Sequence, residues 1–124
     1  MKGLTFIADG KHYCIDAGAV LKVCRPMPVT PVVTAPPMVV GITNMRGKIV
    51  SVLDPGALFG DVGRRERVCH DATVIVCKPV SGQDDMPGFK IDKPGDLTED
   101  IDEKVYRIID IEAVVKKFRG EIDE

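Results

Sequence analysis

Tryptophan is absent, only six aromatic residues occur and the net charge is −2, so the chain has neither the base-stacking platforms nor the basic face of a nucleic-acid binder. Nucleic acid is thereby set aside as a partner. Long apolar runs are missing too. The most hydrophobic stretch, residues 29–40, is interrupted by Pro31, Pro36 and Pro37, which excludes a membrane-spanning helix and direct membrane insertion. The N-terminus reaches Asp9 after a short apolar stretch that lacks a signal-peptide core, so a cytoplasmic location is expected. Histidine is scarce, and neither His12 nor His70 sits in a nucleophile motif; no G-x-G-x-x-G or Walker-type loop occurs. The sequence therefore implies no cofactor and no catalytic residue.

Four cysteines, Cys14, Cys24, Cys69 and Cys77, form no C-x-x-C pair, and in a reducing cytosol free thiols are the default. Cys69, His70 and Cys77 pose an alternative, a thiol- or metal-dependent protein. Their spacing matches no standard ligand set, and buried small hydrophobes plus a surface histidine account for them. Residues 92–103 carry six carboxylates against one lysine. Asp96, Thr98, Asp100 and Asp102 offer oxygens at alternate positions, as a calcium loop does. The required turn glycine would fall on Ile101, however, and the bidentate carboxylate on Arg107. That stretch is expected to be a solvated loop, and no metal site is expected.

What is present favours strands. The 124 residues, 44% apolar and 29% charged, suffice for one domain with its own core, so residues 1–124 are taken as a single domain. Residues 4–8 and 13–16 flank Asp9-Gly10-Lys11, whose Asp-Gly pair predicts a tight hairpin. The β-branched run 20–24 predicts a strand ended by Pro26. Between residues 25 and 37 five prolines prevent helix, yet the valines there are too apolar for a solvated spacer, so this segment is expected to wrap the core. Residues 49–53 predict a central strand, stopped by Asp54-Pro55-Gly56, with one helical turn at 57–59 closed by Gly60 and a charged loop at 61–67. Further strands are predicted at 72–77, 89–91 and 105–109, with an exposed turn at 81–87. Ile111, Val114, Val115 and Phe118 recur at i, i+3, i+4 and i+7, predicting an amphipathic helix capped by Asp110 and closed by Gly120. The fold class is all-β with a short C-terminal α-helix.

The stretch Gly41-Ile42-Thr43-Asn44-Met45-Arg46-Gly47-Lys48-Ile49-Val50-Ser51-Val52-Leu53-Asp54 resembles the signature of CheW-like domains. The proline-bearing lead-in before it and the opening strands from Phe6 to Val23 are similar to the family's as well. The resemblance implies two intertwined small β-barrels with a hydrophobic groove between them. The interval after Asp92 lacks two β segments usual in the family, which implies an abbreviated second barrel. It further implies a non-catalytic adaptor that couples chemoreceptor cytoplasmic tips to the histidine kinase CheA in chemotaxis. Partner-binding candidates are Lys22, Gly41, Asn44, Arg46 and Gly47. Arg46 would present a planar five-donor fork, suited to a carboxylate, beside a glycine that allows close approach. Lys22 stands where the family commonly carries a glutamate that pairs with the arginine corresponding to Arg46, so the usual salt bridge is replaced by two cations. A shortened second half also admits a diverged remnant that oligomerises through strand edges.

Overall fold

Short β-strands build nearly all of the structure. The computed structural model describes residues 2–32, 38–61, 71–79 and 86–122. In chain order its elements are β1 (Gly3–Ala8), β2 (Lys11–Asp16), β3 (Val20–Pro28), β4 (Val39–Met45), β5 (Lys48–Leu53), α1 (Pro55–Leu58), β6 (Asp71–Cys77), β7 (Met86–Ile91), β8 (Lys93–Thr98), β9 (Arg107–Ile109) and α2 (Ile111–Ile122). A single 3₁₀ turn, Ala17–Ala19, links β2 to β3. Among the described residues no helix is long and apolar enough to cross a membrane.

The strands form a four-stranded sheet, β8-β1-β2-β9, and a five-stranded sheet, β3-β6-β7-β5-β4. The first draws on both ends of the described chain and the second on its middle. The chain therefore crosses between sheets at Ala17–Ala19 and again at Asp92, and this produces the intertwining. The sheet that receives the interval after Asp92 is the smaller one. The five-stranded sheet curls until its edges touch. Thr30 forms an isolated bridge with Ile42, Thr43 Oγ1 donates to the Pro28 carbonyl at 2.7 Å, and Cys24 Sγ lies 3.9 Å from Met45 Sδ.

Two cores follow from this curl. On β6, Val74 and Val76 face the interior of the curled sheet with Val50, Val52 and Met86, while Ile75 and Cys77 face the other sheet with Leu53, Phe89 and Ile91. The four-stranded sheet meets that second face with Phe6, Tyr13, Ile15 and Ile109. Each fully buried large apolar side chain stabilises the fold by about 1.5–3 kcal/mol relative to exposure. The five-stranded sheet is thus covered on both faces, which explains why β6 reads as a continuous apolar run.

The first hairpin turns on Asp9 and Gly10 with φ of 49° and 73°, as the Asp-Gly pair predicts. Asp110 Oδ1 accepts from the backbone N–H of Glu112 at 3.1 Å and of Ala113 at 3.4 Å, so the cap of α2 also forms, and Val114 is buried against the intersheet core. The helix continues through Gly120 to Ile122 instead of closing there. The side chain of Phe118 and the charged loop beyond Asp61 lie outside the described residues, as does the turn at 81–85.

Several boundaries differ for one reason, the position of a strand in its sheet. β3 runs past Pro26 to Pro28 because it is an edge strand with a register shift between Cys24 and Met27, where a missing N–H costs no ladder bond. β7 begins at Met86 and includes Pro87, both buried, because it pairs in parallel with β5. The acidic stretch expected as loop contains β8, an exposed edge strand on β1. Its ladder shifts between Leu4 and Phe6, and there the Thr5 hydroxyl takes the Asp96 N–H at 2.9 Å and donates to the Asp96 carbonyl at 3.2 Å. Further on, Ile101 lies over Gly3 and, together with the Cys14 thiol, leaves no room for a side chain there.

Candidate partner-binding site

The hairpin of β4 and β5 carries most of the candidate residues. Thr43 pairs with Val50, Asn44 with Ile49 and Met45 with Lys48, leaving Arg46 and Gly47 as a two-residue turn. Their φ angles, 53° and 83°, are both in the left-handed region. Glycine adopts that region freely, whereas an arginine there is strained. The Asn44 Oδ1 accepts the Gly47 N–H at 2.8 Å and fixes the turn from within. Asn44, Arg46, Gly47 and Lys48 are exposed.

Gly41 belongs to the interior instead. It is buried on β4, and a Cβ there would collide with the backbone carbonyl of Thr30. Its smallness lets the segment after β3 close onto β4, so it supports the hairpin from beneath.

Lys22 sits on β3, at the opposite end of the strand order, yet the curl brings it round. Cys24, two residues on, touches Met45, which immediately precedes Arg46. Lys22 is exposed and its Cα partner is Val76. Among the described residues neither Lys22 nor Arg46 takes part in an ion pair. The strands that meet here therefore carry exposed cations on both sides, Lys22 and Arg25 on β3 and Arg46 and Lys48 on the hairpin. The same strands also expose apolar side chains that sequence reasoning did not single out: Leu21 at 48% exposure, Val23 at 37% and Ile49 at 42%. In the sequence they read as ordinary strand residues, and only the edge position of β3 exposes the first two. Exposed cations and exposed apolar side chains on the same sheet suit an acidic protein surface with apolar contacts.

Among the described residues no thiol or metal site is assembled. Cys14, Cys24 and Cys77 are buried free thiols. Burial pushes Cys77 up to about 12, and burial together with Asp16 raises Cys14, so neither favours a reactive thiolate. Cys69 and His70 lie outside the described residues. Among the described residues no three potential ligands are grouped for a metal ion.

Comparison with known proteins gives a consistent result. The model of the CheW-like domain matches residues 2–99, which take in β1 to β8. The chain is 26% identical over 108 residues to a chemotaxis protein CheW of Rhizobium meliloti (strain 1021), covering 87% of this chain and 66% of that protein. Its fold is similar to the crystal structure of the scaffolding protein TtCheW from Thermoanaerobacter tengcongensis, with a TM-score of 0.63 and 29% identity, covering 83% of this chain and 66% of the other. The chain thus spans 66% of the length of each.

Proposed function

This chain belongs to the CheW-like domain family, and from that premise we propose that it is a non-catalytic adaptor coupling chemoreceptor cytoplasmic tips to the histidine kinase CheA in chemotaxis signalling. The observation that carries the reading is Arg46. An arginine is held in a left-handed turn at an exposed hairpin tip, with no ion pair among the described residues. Strain at an exposed residue that the fold does not require points to a role outside the fold. Its guanidinium offers a planar fork to a partner's carboxylate. Lys22, in place of the family's usual glutamate, leaves that fork without its internal competitor and adds a second positive charge. Leu21, Val23 and Ile49, exposed on the same sheet, offer a partner apolar contact as well as charge.

Titration calorimetry against CheA and receptor-tip fragments tests the proposal. Arg46→Ala should weaken at least one of the two interactions with little loss of stability, about 0.5 kcal/mol or less. Lys22→Glu should restore the pairing usual in the family and change affinity measurably. Wild-type protein that binds neither fragment would overturn the adaptor role, and unchanged affinity in both variants would remove these residues from the interface.

A further inference from the structure

A second charged cluster lies away from this hairpin, where the two sheets meet. The Asp61 carboxylate receives two cations on one oxygen: Lys11 Nζ of β2 lies 2.6 Å from Oδ2 and Arg107 Nη1 of β9 lies 2.7 Å from it. The same Arg107 nitrogen is 3.4 Å from the Tyr13 hydroxyl. Its guanidinium carbon stands 5.3 Å from the centre of the Phe59 ring and 5.8 Å from that of Tyr13, within cation–π range of both. Tyr13 is buried and stacks on Phe6 at 5.3 Å, which roots the cluster in the intersheet core. Lys11, Tyr13 and Arg107 come from the four-stranded sheet. Phe59 and Asp61 come from the segment that leaves β5 of the other sheet.

The local chain is built to deliver this carboxylate. Asp54 caps α1 by accepting the Gly56 N–H at 3.0 Å, and the Asp61 N–H returns to the Gly56 carbonyl at 3.0 Å. Gly60 turns the chain at φ 82°. A Cβ on Gly56 would press on the carboxylates of Asp61 and Asp54 at 3.3 and 3.4 Å. The one-turn helix and both glycines thus hold Asp61 in a fixed place. The stop signal Asp54-Pro55-Gly56 and Gly60 form one device, of which Asp61 is the working end.

We propose that Asp61 is a positioning residue, an electrostatic latch that fastens the α1 end of the five-stranded sheet to the β2 and β9 edge of the four-stranded sheet. Two covalent crossings, at Ala17–Ala19 and at Asp92, already join the sheets, and the latch adds a noncovalent tie between them. It keeps short β9 and the turn at residues 59–61 in register with each other, and so holds constant the surface that spans the two sheets. The latch is a feature of intramolecular geometry and does not depend on the binding of any partner.

Amide hydrogen exchange on the full chain tests it. Asp61→Asn should speed exchange at residues 59–61 and 107–109 about tenfold, leaving β5, β6 and β7 at the wild-type rate, since local opening needs only the contacts at that place. Asp61→Glu, which keeps the charge, should recover part of the protection, and Lys11→Met should give a smaller loss at the same amides. Should Asp61→Asn fail to fold, Lys11→Met carries the test. No change in the folded variants, or uniform acceleration across both sheets, would overturn the latch.

Discussion

Replacing Arg46 with glycine should move stability and binding in opposite directions. The residue sits at φ 53° in a turn whose next position, Gly47, is at 83°. For an L-residue the left-handed region costs roughly 1–2 kcal/mol, which glycine relieves. Against this, glycine frees the unfolded chain and gives back roughly 0.4–1 kcal/mol. The expected net gain is about 0.5–1 kcal/mol, or about 2–4 °C in Tm for a chain of this size. Little is lost in exchange, because the side chain is exposed and forms no ion pair among the described residues, and the Asn44 Oδ1 bond to the Gly47 N–H does not involve the side chain at position 46. Arg46→Asn should gain a similar amount, since asparagine tolerates this region. Scanning calorimetry reads the stability, and titration with receptor-tip and CheA fragments reads the binding. A fall in Tm would refute the strain argument. A raised Tm with unimpaired binding would confirm the strain and refute the claim that function retains the arginine.

Other consequences are open to simpler measurements. Leu53→Ala, at a position 2% exposed in the intersheet core, should cost about 2–5 kcal/mol in urea unfolding. Gly41→Ala should cost about 1–3 kcal/mol, because its Cβ meets the rigid backbone of Thr30 with no flexible side chain to yield. Cys77, with its thiol pushed up to about 12, should resist a thiol reagent at neutral pH in the folded protein and react once urea unfolds it. Lys11 and then Arg107 hold the Asp61 carboxyl below its ordinary value of 3.8. Its stabilising contribution is therefore complete above that unfolded-state value and disappears as pH falls through the lower folded one. Acid unfolding of wild type should include this loss, and that of Asp61→Asn should lack it.

Local backbone demands were the most legible features. Asp9-Gly10 needs no tertiary partner to form its turn, and Asp110 caps α2 with its own carboxylate. The β-branched run of β6 likewise identifies a buried strand. β8 was hidden because its sequence, with Lys93, Pro94, Gly95 and Asp96, describes an exposed edge as well as it describes a loop. Composition reports exposure there, and only the vacant side of β1 decides that the segment pairs. Pro26 and Pro87 misled for a related reason: a proline limits ladder bonds on one side of a strand, and sequence alone does not say which side faces a neighbour.

The same division separates the two charged clusters. Asn44, Arg46 and Gly47 are neighbours in the chain, so a continuous motif displays them together, and the structure adds the left-handed geometry. Lys11 and Arg107 lie 50 and 46 residues from Asp61, and no local pattern links a lone acid to either. Asp61 has one mark nearby, Gly60, whose positive φ reads from sequence as the close of a helical turn. That reading is correct for the backbone and incomplete for the fold. A glycine that ends one element also sets the direction of the residue after it, and here that direction carries a carboxylate across to the other sheet.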